Sequence, residues 1–184
     1  MLVRTLSRVA VVLWLCSRLL ASGASGLWLD VPFVKQETNG CGAASMAMVM
    51  QYWFQQEGRA SDEVDLDQIQ RALYSRQAHG IYASDMVHYL EQQGFRTFTF
   101  HGEWDSLQHN LEKGRPLIVA LQPVGRHMPL HYVVVTGLDW DRGLVMINDP
   151  AARKLLKEDR SKFEGEWKAT ANWTLLAVPQ PGGR

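Results

Sequence analysis

Gln36 to Gln56 reads QETNGCGAASMAMVMQYWFQQ: a polar turn, then a long segment that is almost entirely apolar. Thr38-Asn39-Gly40 supplies the turn, and Asn39 is the expected N-cap of a helix over Cys41–Gln56. Up to Phe54 the only clearly polar side chains in that helix are Ser45 and Gln51. A helix apolar on nearly every face has to be covered on all sides, so it belongs inside a domain.

The neighbouring segments supply the cover. Leu27 to Val34 alternates around Pro32 and predicts an edge strand or an extended entry. Leu66, Ile69 and Leu73 recur at helical spacing, and His79-Gly80-Ile81 breaks the pattern. Ser84 is positioned to cap a helix over Asp85–Gln93 that Gly94 ends, and a strand follows over Phe95–Phe100. A further helix spans Trp104–Lys113. The pattern then turns to strands at Pro116–Leu121, His131–Leu138 and Leu144–Asn148, with a hairpin signal at Asp139–Gly143. A short helix over Ser161–Trp167 and a strand over Asn172–Val178 complete the domain, and Pro179–Arg184 is expected to be a disordered tail. Helices first and antiparallel strands second predict an α+β fold in one domain over 27–178.

Composition narrows the function classes. The chain has 184 residues, 46% hydrophobic and 21% charged, which is globular rather than disordered usage. Nineteen basic residues balance nineteen acidic ones, and no basic stripe is interleaved with aromatics, so nucleic-acid binding has no support. Two cysteines are too few for a disulfide scaffold or a four-thiolate zinc site. Arg4 and Arg8, the apolar run Val9–Cys16 and the small residues Ala21–Gly26 together form an export-signal pattern over 1–26, too short to span a bilayer as a mature helix. Its removal takes Cys16 and leaves Cys41 as the only thiol, so no internal disulfide is possible in an exported chain. The expected destination is periplasmic or extracellular.

A lone cysteine is either a small core side chain or a nucleophile. Cys41 opens a helix, where unpaired N–H groups and the positive end of the dipole favour the thiolate. The small residues Gly40 and Gly42 are expected to leave room for a substrate carbonyl. The Cys41 N–H and the side-chain amide of Gln36 are candidate oxyanion donors. His131 opens an apolar strand and so lies at a sheet rim, where its ring can serve as a base. Asp149 ends the partner strand, and the hairpin brings the two ends side by side. Asn148 is the alternative orienter, but adjacent strand residues face opposite ways, so only one of the pair can meet the ring. His127 is the rival histidine. The remaining histidines (His79, His88, His101, His109) lack metal spacing, and Cys41, His131 and Asp149 as zinc ligands would be widely scattered.

VPFVKQETNGCGAASMAMVMQYW, HYVVVTGL and VMINDP, in that order over about residues 28–178, resemble the papain-like peptidases of the bacteriocin-processing, or double-glycine, type, and their stand-alone members more closely. The resemblance implies a papain-like fold with a helical lobe carrying Cys41 and a β lobe carrying His131 and Asp149. It implies Cys41 as nucleophile, His131 as general base, Asp149 as orienter and Gln36 as oxyanion donor, acting on a peptide or protein through a thioester, with no cofactor. No transporter portion follows, so cleavage after a Gly-Gly leader is not carried over. Two other functions fit the same residues: acyl transfer to an amine, and a non-catalytic peptide-binding module.

Overall fold

The computed structural model describes residues 26–60, 63–122 and 130–180. The export-signal expectation over 1–26 therefore lies outside the described residues except for Gly26, as does His127. Chain order is β1 (Gly26–Trp28), α1 (Cys41–Gln56), α2 (Leu66–Leu73), α3 (Ala83–Gln92), β2 (Phe95–His101), α4 (Trp104–Glu112), β3 (Leu117–Leu121), β4 (His131–Asp139), β5 (Leu144–Asn148), β6 (Leu156–Asp159), α5 (Arg160–Lys168) and β7 (Trp173–Pro179). The architecture is α+β, as the sequence pattern predicts.

All seven strands form one antiparallel sheet in the order β2-β7-β3-β4-β5-β6, with β1 added to β4. Both faces are covered, so the central strands are apolar throughout rather than alternating. Ile118, Ala120, Tyr132, Val134, Leu175 and Ala177 pack with α1, α2 and α3. Their neighbours Val119, Val133, Val135 and Leu176 pack on the opposite face with Leu107 and Leu111 of α4 and Phe163 and Trp167 of α5. The helical cover is thus split between the two sheet faces, with α1 on one side and α4 and α5 on the other.

Helix α1 is buried from Gly42 to Met50, and its few polar atoms are used as anchors. Tyr52 Oη donates to the Gly114 carbonyl at 2.8 Å, and Trp53 Nε1 donates to the Ala177 carbonyl at 2.9 Å. Buried polar groups retained in this way fix the helix against the sheet at no desolvation deficit.

Strand β1 lies on β4 beyond the end of β3, pairing Gly26 with Asp139 and Trp28 with Gly137. A Cβ at Gly137 would sit 2.5 Å from the Leu27 carbonyl oxygen, so only glycine admits β1 there. The β4–β5 register shifts between Val135 and Gly137, a bulge at the same place.

Four expectations are corrected, and one strand lies where none was expected. Asn39 is not the N-cap of α1: it takes a left-handed conformation (φ 58°), and Gly40 occupies the cap with no side-chain bond. Ser84 is not a cap either, because the Tyr82 carbonyl already accepts from Asp85 and Met86 and helix α3 starts ahead of it. The segment Leu156–Asp159 forms strand β6, whose charged, alternating sequence suits an exposed edge. The expected tail begins later than Pro179: Pro179 pairs with Phe95, and Gln180 donates from its backbone to the Gly94 carbonyl and from its side chain to the Phe95 carbonyl. Gly26, assigned to the leader, is likewise already part of the sheet.

Candidate active site

The β4–β5 hairpin determines which of Asn148 and Asp149 meets His131. Val134 pairs directly with Asn148, and Val134 faces the α1 side of the sheet. Asp149 therefore shares the other face with Val133 and, two residues along, His131. His131 Nε2 lies 2.7 Å from Asp149 Oδ1. Asn148 is engaged elsewhere: its Nδ2 donates to the Val31 carbonyl at 3.1 Å, and its Oδ1 accepts from Leu155 N–H.

Cys41 arrives from the opposite layer, at the first residue of α1. The backbone of Tyr132 joins the two layers, because its N–H interacts with the Cys41 sulfur and its carbonyl accepts from Ser45 Oγ at 3.2 Å. Ser45 is one helical turn after Cys41, so helix and strand are pinned at two points on one face. The His131 ring lies between the sulfur and the carboxylate, hydrogen-bonded to both.

The electrostatics follow from that arrangement. Burial opposes ionisation of Cys41. The hydrogen bond and charge of His131, with the N–H groups of Tyr132 and Gly42, outweigh it and hold the thiol below its ordinary value. Burial likewise opposes protonation of His131, and the Asp149 and Cys41 bonds overcome it, raising the ring to about 9. Asp149 is also held down, burial being outweighed by His131 and by the N–H groups of Ala151 and Ala152. Both shifts favour thiolate with imidazolium over thiol with imidazole, and the two groups titrate as a coupled pair.

Gln36 is brought to the same corner. Its backbone N–H donates to the Pro150 carbonyl at 3.0 Å, and its Cβ lies 3.6 Å from where a Cβ on Gly40 would stand. Its Oε1 is buried without a partner. Cys41, His131 and Asp149 thus meet directly, and Gln36 lies on the turn that leads into Cys41.

The flanking glycines have a different use from the expected one. A Cβ on Gly40 would stand 3.2 Å from the Glu37 carbonyl oxygen, and one on Gly42 would stand 3.2 Å from Ile81 Cβ. The space is taken by the chain itself, which lets segment 78–83 pack against the mouth of α1. Beside Cys41 this segment bounds a groove of about 400 Å³ with Leu130 and Tyr132 opposite. Sequence reasoning missed Ser45, the Tyr132 backbone and this wall. The one available signal was the placement of Ser45 four residues after Cys41. Among the described residues no group of three or more His, Cys, Asp or Glu is arranged to hold a metal ion.

The profile of the Peptidase C39-like family matches residues 28–174, and the chain belongs to that family. It is a cysteine peptidase of mixed α/β, papain-like fold. Among solved structures it is similar to a C39-like peptidase from Bacillus anthracis (18% identity, TM-score 0.66, covering 84% of this chain and 98% of that one). It is also similar to the peptidase domain of Streptococcus ComA, a bi-functional ABC transporter involved in quorum sensing (21%, TM-score 0.60, 80% and 98%). A third similar structure is a double glycine motif protease from an AMS/PCAT transporter in complex with the leader peptide (23%, TM-score 0.60, 83% and 94%). No curated protein matches significantly in sequence. Among the described residues no helix is long and apolar enough to cross a membrane.

Proposed function

We propose that Cys41, His131, Asp149 and Gln36 carry out peptide-bond hydrolysis through a thioester. The observation that supports this most directly is the His131 ring shared between the Cys41 sulfur and the Asp149 carboxylate. The Cys41 thiolate attacks the scissile carbonyl carbon. The oxyanion that forms meets the Cys41 N–H and the Nε2 hydrogens of the Gln36 amide. As the C–N bond breaks, the His131 imidazolium gives its proton to the leaving amine, and the thioester remains. The neutral ring then takes a proton from water, hydroxide attacks the thioester, and the thiolate departs. Asp149 holds the ring in orientation throughout.

The substrate is a peptide or protein segment. A neighbour of the same fold holding a leader peptide supports this. Residues 1–26 act as an export signal in this reading, and N-terminal sequencing of the secreted chain tests it.

The test of the chemistry is alkylation by iodoacetamide from pH 5 to 8, with and without His131→Ala. A primed thiolate reacts fast at low pH and slows when the ring is removed. A thiol inert in both proteins refutes the mechanism. Peptide pools with and without an acceptor amine then separate hydrolysis from acyl transfer.

A further inference from the structure

The groove beside Cys41 has a composition that the cleavage chemistry does not require. Ala78, Gly80 and Ala83 contribute almost no side chain to it, which makes it wide. Ile81, Tyr82, Leu130 and Tyr132 are its large apolar walls, and Tyr82 and Leu130 are 41% and 44% exposed as residues. Among the described residues no Asp, Glu, Lys or Arg lines it, and His79 is its one imidazole. Its volume of about 400 Å³ is within the range of sites that bury organic side chains. Large apolar surface left open to water is costly unless something covers it during function.

The occupant is identified by continuity, because Cys41 itself lines the groove. Whatever fills it belongs to a chain whose carbonyl is at the sulfur. We infer that this groove is a specificity subsite that takes a bulky, uncharged apolar side chain close to the scissile bond, and that a pair of glycines at the cleavage point leaves it empty. The inference rests on the peptidase reading above. Tyr82 is the determinant best separated from the chemistry. It precedes helix α3, and it is outside the set of Cys41, His131, Asp149 and Gln36.

The test is cleavage of a peptide library varied at each position around the cut, with products mapped by mass spectrometry. One position is expected to favour Leu, Phe or Tyr over Gly by roughly tenfold to a hundredfold in kcat/KM, the worth of burying one such side chain. Tyr82→Glu should move that position towards Lys and Arg, and Tyr82→Arg towards Asp and Glu, with iodoacetamide reactivity of Cys41 unchanged. Cleavage with Gly preferred at both flanking positions, or with selectivity unmoved by both Tyr82 variants, overturns the subsite and leaves the peptidase standing. Failure to cleave any member overturns the peptidase reading, and the subsite with it.

Discussion

Asn148 and Asp149 are chain neighbours that serve opposite layers of the molecule: Asn148 holds the Val31 carbonyl at 3.1 Å, and Asp149 holds His131 at 2.7 Å. One carries structure and the other carries polarity, and the alternation of a strand is what divides the labour.

Substitution should separate them. Asn148→Ala leaves buried partners unpaired, each costing about 1–3 kcal/mol, so the midpoint of thermal unfolding falls. Asp149→Ala removes the partner that keeps His131 protonated, so its midpoint also falls, by an amount that shrinks as pH rises through about 9, while kcat/KM falls about 10²–10⁴-fold. Melting curves read beside peptide kinetics decide it. Equal loss of stability in both variants contradicts the division.

The pH profiles of two assays on one enzyme should differ. Alkylation needs only the thiolate, so it rises through the lowered thiol titration and then holds. Hydrolysis also needs the ring proton, so it falls again as His131 deprotonates near 9. A hydrolysis rate that keeps climbing past pH 10 removes His131 as proton donor.

Stability should respond to pH in a compensated way. A raised His131 contributes stability that is complete below its unfolded value of 6.5 and is lost as pH rises through about 9. A lowered Cys41 contributes stability that appears above its folded value and is complete above its unfolded value of 9.0. The two slopes oppose each other, since the proton has only moved from sulfur to ring. Cys41→Ala removes one of them, so its unfolding free energy should drop more steeply than the parent's between pH 6.5 and 9. Urea titrations at three pH values with parallel slopes for both proteins would sink the idea.

Gln36→Ala is expected to cut kcat about 10²–10³-fold, with KM and the alkylation rate near those of the parent. Slowed alkylation would mean that Gln36 positions the sulfur instead of meeting the oxyanion.

Gly42→Ala forces Ile81 to give way from a 3.2 Å approach, at a cost of about 1–3 kcal/mol. Ile81→Ala should restore part of that loss, and a double-mutant cycle in unfolding free energy measures the coupling. Additive losses would mean that the contact is not tight.

Much of this was legible in the residues, for identifiable reasons. The bounds of α1 follow from a turn and an unbroken apolar run, and the His131–Asp149 meeting follows from hairpin geometry. Leu156–Asp159 was not legible, because an edge strand rich in charge has the same composition as a loop. Nor was the wall at 78–83. Ile81 packs against the first turn of α1 only because Gly42 lacks a side chain, a long-range complementarity that no local periodicity encodes. The capping error at Asn39 has a similar origin: asparagine suits both an N-cap and a left-handed turn, and the turn won.

The pairing of Gly26 with Asp139 fixes where the polypeptide enters the domain. Asp139 and His131 are the two ends of β4, and nine residues of strand separate them by roughly 27 Å. Anything joined ahead of Gly26, whether a retained leader, a tether or an affinity handle, is therefore attached at the pole opposite the sulfur.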